Sequence, residues 1–200
     1  MKAFTGFCLF LSLMLPPTVL LAAESPLATV QTAITKVMAI IDDASLQGEN
    51  SKAEKVKRIE VIVDDVFDYD KLARQCLGKN WNAITPAQQE EFTKLFSKFL
   101  GQVYITKITS FPGSKVEFVD EVSLSPTVSE VRTQVITKEA KVPLSYRLTA
   151  SDAGWRVYDV IVEGVSLLNN YRSQFHSILS NKPMENLLAQ LRAKVKSYDS

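Results

Sequence analysis

Histidine, cysteine and glycine are scarce in this chain, and each scarcity removes a class of chemistry. One histidine and two cysteines among 200 residues cannot supply the three or four ligands of a zinc site. With His176 alone and no G-x-S-x-G elbow, no nucleophile triad can be assembled. The 7 glycines form no phosphate-cradling loop. Charge of one sign is missing too, with 23 Lys and Arg against 22 Asp and Glu. No basic cluster outruns its neighbouring acids, and nucleic-acid binding draws most of its affinity from such clusters. Nucleic acid is therefore excluded as a partner. Asp42-Asp43, Asp64-Asp65 and Asp68 with Asp70 lack the twelve-residue loop of calcium chemistry. Neither a metal nor a cofactor is expected.

What is present begins with one apolar run. Lys2 precedes Phe4 to Leu15, then come Pro16-Pro17, Val19 to Leu21 and the small pair Ala22-Ala23. This pattern reads as a secretory signal peptide over residues 1–23; a membrane anchor would need about 20 uninterrupted apolar residues. No cysteine follows the run, so no lipid anchor is indicated. Cleavage leaves residues 24–200 as a single domain with 22 basic and 22 acidic residues. Cys8 leaves with the signal, and Cys76 remains without a disulfide partner, as expected of a small buried hydrophobe.

Periodicity supplies the elements. Leu27, Val30, Ile34, Val37 and Ile41 repeat at spacings of three and four, predicting a helix opened by Pro26. Ser51 with Glu54 suggests a capping box for a second helix. Asp68 and Gly78 bracket a short third one. Thr85, Pro86 and Gln88 open a long helix with Phe92, Leu95, Phe96, Phe99, Val103 and Tyr104 along one face. "SFPGS", residues 110–114, ends the helical part. From Lys115 to Val162 the period falls to two, predicting four antiparallel strands. Two helices close the chain, one with Val165, Leu168, Tyr171, Phe175 and Ile178 on a stripe, the other following Pro183. The fold class is α+β, a curved four-stranded antiparallel sheet packed with several helices.

Asp159 and Glu163 are the remaining candidates for chemistry. A buried carboxylate in an apolar cavity can act as a general base, because desolvation raises its pKa. The structural reading is favoured, with Arg147 and Arg156 as possible ion-pair partners of Asp159 and Glu163 near the following helix N-terminus. An enzyme using such a carboxylate on an apolar substrate is kept as the alternative to a non-enzymatic protein. Periodicity leaves open whether the apolar layer between sheet and helices is filled or hollow.

Two stretches, "FDYDKLARQCLGKNWNAITPAQQEEFTKLFSKFL" and "WRVYDVIVEGVSLLNNYRSQFHSIL", resemble the signatures of the MlaC family, also called the toluene-tolerance auxiliary family. Trp155, Tyr158, Asp159, Val160, Glu163, Gly164, Ser166, Asn170, Tyr171, Arg172 and Phe175 fall in that pattern. The resemblance extends from about Val61 to Leu191. It implies a fold of the nuclear-transport-factor or cystatin type and a periplasmic protein of a Gram-negative bacterium. It also implies an auxiliary component of an ABC transport system maintaining outer-membrane lipid asymmetry. Phospholipid would be cargo rather than cofactor, carried between an outer-membrane lipoprotein–porin complex and an inner-membrane ABC transporter complex.

On that reading the apolar side chains are the functional ones. The lining expected is Phe96, Phe99 and Tyr104 from the long helix, and Phe118, Val135, Leu144 and Tyr146 from the sheet. Val160, Val162, Val165, Leu168, Tyr171 and Phe175 complete it. Arg172 is the candidate contact for a head group.

Overall fold

The computed structural model describes residues 24–109 and 113–198. The expected signal segment, and residues 110–112 of the turn that ends the helical part, lie outside the described residues. Helix α1 (Pro26–Ile41) starts at Ser25, whose side chain accepts from the Ala28 N–H. Its C-terminal end is met by Lys55, a buried lysine whose Nζ lies 3.4 Å from the Ile41 carbonyl. A cation placed there answers the negative end of the helix dipole.

Helix α2 (Lys52–Val66) does not begin with the capping box its sequence suggests. Ser51 is held in a helical conformation by the preceding 3-10 turn Glu49–Ser51 and makes no side-chain cap bond. Glu54 instead pairs with Arg58 one turn on, at 2.7 Å. Helix α3 (Tyr69–Leu77) follows the expected punctuation, with Asp68 accepting from Lys71 N–H and Gly78 closing it at φ 55°. Helix α4 (Pro86–Ile108) carries the full Thr85–Gln88 capping box.

The sheet runs in the order of the chain: β1 (Lys115–Ser125), β2 (Val128–Ile136), β3 (Lys141–Ser151), β4 (Gly154–Val162) and β5 (Val165–Ser166), all antiparallel. The fifth strand was not anticipated. It is two residues long and forms because Glu163 and Gly164, both at positive φ (50° and 82°), turn the chain tightly back on β4. Helices α5 (Leu167–Leu179) and α6 (Met184–Tyr198) complete the α+β domain.

Register shifts bend the sheet. β1 is irregular between Phe118 and Asp120 and between Ser123 and Ser125. The skipped residues, Val119 and Leu124, are thrown outward and exposed, as expected where a bulge breaks alternation. A third shift, opposite Arg147 and Leu148, leaves Tyr158 without a cross-strand partner.

Packing falls into separate apolar regions. Helices α3 to α6 build the largest, centred on Phe92, Phe96, Tyr171, Phe175, Leu187 and Leu188. A second joins Val30 of α1 to Val131, Leu148 and Val157 of the sheet. A third, Ile41, Ile59 and Ile105, ties α1, α2 and α4 together.

Candidate functional site: an apolar face of the sheet

Strand pairing decides which side chains share a face. Val131, Tyr146 and Val160 are directly opposed across β2, β3 and β4, as are Phe118, Thr133, Leu144 and Val162 across β1 to β4, and Val116, Val135 and Val142 across β1 to β3. Directly opposed residues point the same way, so these rows form one apolar face.

Helix α1 covers one end of that face. Glu121 fixes it there, accepting from Leu27 N–H at 3.0 Å and from Ser129 Oγ at 3.1 Å. Beneath Val30 the sheet is sealed, with Val131 and Leu148 0% exposed and Val157 2%. Toward the β2–β3 turn the same face opens. Val116, Phe118, Val135, Val142, Leu144, Tyr146, Val160 and Val162 all keep part of their surface accessible. Tyr146 sits deep enough for burial to push its phenol well above the ordinary range, opposed by a hydrogen bond with Thr133. With Phe118 and Val160 it packs against the Val30 cluster while keeping part of its surface accessible.

The expected lining divides in two. Phe118, Val135, Leu144, Tyr146, Val160 and Val162 come together on the sheet face. Phe96, Phe99, Tyr104, Leu168, Tyr171 and Phe175 assemble in the helical core instead. There the rings interlock, with Phe96 edge-on to Tyr171 and Phe175 at 5.1 Å each and stacked on Phe92 at 5.4 Å. The Tyr104 and Tyr171 hydroxyls meet at 3.4 Å. Val165 joins neither group; it is 58% exposed on β5, because α5 starts at Leu167 rather than within the apolar stripe. Arg172 lies at the far side of α5, against Gly78, and not on the sheet. A helical stripe says that a face is buried without saying which layer buries it, and that is why one lining was expected. Val116 and Val142 were passed over as site residues although their strand parity matched. Leu27 and Ile34 of α1, which pack against the sheet cluster, were readable only as a buried stripe.

The opposite face of the sheet is polar. Glu130 accepts from Arg132 Nε at 2.9 Å and from Arg147 Nε at 3.0 Å, and Arg147 reaches toward Asp159 at 3.8 Å. The two arginines hold the Glu130 carboxyl below its usual range against the opposing effect of burial. Asp159 is 2% exposed. One oxygen accepts from Ser166 Oγ at 2.6 Å and the other from Leu168 N–H at 3.0 Å. Both donors belong to the start of α5, so this carboxylate fastens the strand-to-helix corner. Arg156, considered as its partner, instead donates to the Phe67 carbonyl at 2.7 Å. Glu163 is exposed in the β4–β5 turn, and the helix N-terminus is capped by Ser166.

Cys76 is buried beside this corner, its thiol facing the Leu168 carbonyl at 3.6 Å. Burial, aided by the charge of Asp159, pushes it up to about 12. No group of three or more His, Cys, Asp or Glu able to hold a metal occurs among the described residues.

Fold and site together define an α+β protein whose antiparallel sheet carries an apolar face, buried at one end under helix α1 and partly accessible toward the other. A family model described as MlaC protein matches residues 31–193, and the chain belongs to that family. The intermembrane phospholipid transport system binding protein MlaC of Haemophilus influenzae is 22% identical over 201 residues, covering 96% of this chain and 92% of that protein. A solved structure of the phospholipid-binding protein from Ralstonia solanacearum, in complex with a phospholipid, aligns with a TM-score of 0.76 and 25% identity. It covers 90% of this chain and 100% of the other.

Proposed function

We propose that this protein is a periplasmic carrier that holds phospholipid acyl chains against the apolar sheet face and shuttles them between outer-membrane and inner-membrane complexes. The observation that carries this reading is the group of partly exposed apolar side chains Phe118, Val135, Leu144, Tyr146, Val160 and Val162 on one sheet face, continuous with a fully sealed end. Water in contact with such a surface is unfavourable, and an acyl chain replaces it without needing any directed polar contact.

Magnitudes explain why a carrier is needed. Exposing an acyl chain to water costs about 0.8 kcal/mol per methylene, so a sixteen-carbon chain costs roughly 12 kcal/mol. An apolar face that matches the apolar environment of a membrane removes that barrier and still lets the lipid leave. The relatives support the cargo, since one is named for intermembrane phospholipid transport and the other was solved with a phospholipid. No described helix is long and apolar enough to cross a membrane, so the transporter complexes would supply the membrane-embedded steps. The lipid chemistry asks for no cofactor and no reacting group.

Incubating the delipidated protein with vesicles carrying a fluorescent phospholipid, then separating the two, tests the reading. Lipid is expected in the protein fraction at a fixed molar ratio, and acceptor vesicles should then take it up. A folded protein that extracts no lipid would overturn the proposal.

A further inference from the structure

A second concave site lies among the helices, and none of its lining residues belongs to the sheet. It is a cavity of about 420 Å³ between the end of α3 and the middle of α5. Cys76 and Leu77, 1% and 3% exposed, lie buried beneath its floor, and Lys79, Asn80, Arg172, Ser173 and His176 supply polar groups, with no carboxylate among them.

Arg172 sets this cavity apart. Arg58, Arg132, Arg147 and Arg192 all pair with carboxylates. Arg156 donates to backbone carbonyls and Arg74 lies over the Trp81 ring. Arg172 has no hydrogen-bond or ion-pair partner among the described residues, and neither do the side chains of Lys79 and His176. The exposed guanidinium lies beside Gly78, where an added Cβ would come within 3.6 Å of Nη2 and 3.7 Å of Nε. Gly78 at φ 55° is a position that L side chains rarely adopt, so the turn presents bare backbone to the arginine. The charges of Asp159 and Arg172 act on the Cys76 thiol in opposite senses, and both Asp159 oxygens already accept hydrogen bonds from the helix corner.

A planar guanidinium, an ammonium, an imidazole and an amide around one concavity match the oxygens of a phosphate group. We propose that the α3–α5 cavity binds a phosphate group, at a site separate from the apolar sheet face. The phosphate could be inorganic phosphate or that of an anionic lipid head group at a membrane surface. In either case Arg172 and Lys79 provide the charge, while the Asn80 amide directs the remaining bonds; the Ser173 hydroxyl already donates to the Asn169 carbonyl at 3.0 Å.

Titrating the ¹⁵N-labelled full chain with sodium phosphate, against sodium chloride at equal ionic strength, tests the site. Saturable shifts confined to Gly78, Lys79, Asn80 and Ser173 are expected, with Arg172→Gln weakening the response at least tenfold. An exposed arginine without partners can be removed without unfolding the chain; Lys79→Gln gives a second reading, with a several-fold loss. Shifts that fail to saturate, that chloride reproduces, or that persist undiminished in R172Q would overturn the proposal.

Co-sedimentation with phosphatidylglycerol and phosphatidylcholine vesicles separates the two sources. A several-fold loss of phosphatidylglycerol binding in R172Q assigns the head group, whereas saturable phosphate binding without that loss assigns the soluble ion. A protein whose sheet face takes up no lipid should still show the phosphate shifts, so the two proposals fail separately.

Discussion

Ser166 donates to Asp159 at 2.6 Å across the turn that joins β4 to α5. The same carboxylate accepts the Leu168 N–H through its other oxygen, so a single buried acid orders the first turn of the helix. Asp159→Ala strands both donors and is expected to destabilise the fold by about 3 kcal/mol. Asp159→Asn keeps one acceptor and should cost about 1–2 kcal/mol. Urea denaturation reads both values. The folded fraction of D159N should extract lipid like the wild type; loss of uptake at unchanged stability would move Asp159 from the corner to the functional machinery.

The apolar sheet face and the helical core make opposite demands on substitution. Val135→Trp or Val162→Trp adds bulk where side chains are partly exposed, so phospholipid uptake should fall several-fold with little change in melting temperature. Phe96→Ala removes a ring locked among Phe92, Tyr171 and Phe175 and should cost about 3–5 kcal/mol. Lipid bound per folded molecule should then stay near wild type. The reverse outcome, with V135W neutral and F96A lipid-free yet stable, would place the cargo among the helices.

Helix caps offer a check on local structure. Thr85 and Gln88 exchange bonds across the start of α4, and Thr85→Ala is expected to cost about 1 kcal/mol. Ser51 makes no such bond, so Ser51→Ala should be within a few tenths of neutral. Equal losses at the two sites, measured by thermal unfolding, would contradict the difference in geometry.

Alkaline pH should weaken the fold through Cys76. The exposed thiol of the unfolded chain ionises near its ordinary value of 9.0, whereas burial holds the folded thiol to about 12. Between these values the unfolded state has lost a proton that the folded state keeps. The stabilising effect is therefore whole below pH 9 and lost as pH rises toward 12. From pH 8 to 10 the loss attributable to this thiol is about 1.4 kcal/mol, and Cys76→Ala should lack it. A thiol reagent at pH 8 should label Cys76 only upon unfolding; rapid labelling of the native protein would show the thiol to be accessible.

Local signals were the most legible in the sequence. The Thr85 box, the Asp68 cap and the Gly78 stop depend on residues within a few positions of one another. Alternation within each strand likewise paired Val131 with Val135 and Leu144 with Tyr146, while the register that joins the two pairs on one face is read only from the structure. Ser51 misled because the 3-10 turn before it had already fixed its backbone, a state that the spacing to Glu54 does not encode. The candidate site was less legible still. Whether the sheet face is sealed or open depends on where α1 lies, and that is set by Glu121 meeting Leu27, 94 residues apart in sequence. Assigning Phe96 and Tyr171 to one core and Leu144 to another face needs the same long-range information. The fifth strand rests on Glu163 adopting a positive φ, which its side chain gave no reason to expect.

The central claim is that the open end of the sheet face holds phospholipid acyl chains. Native mass spectrometry of the protein purified without detergent, with the bound mass identified after denaturation, tests it most directly. The expected result is phospholipid at near-integer stoichiometry in the wild type and its depletion in V135W and V162W. A folded wild-type protein that carries no lipid and takes none from vesicles would contradict the account.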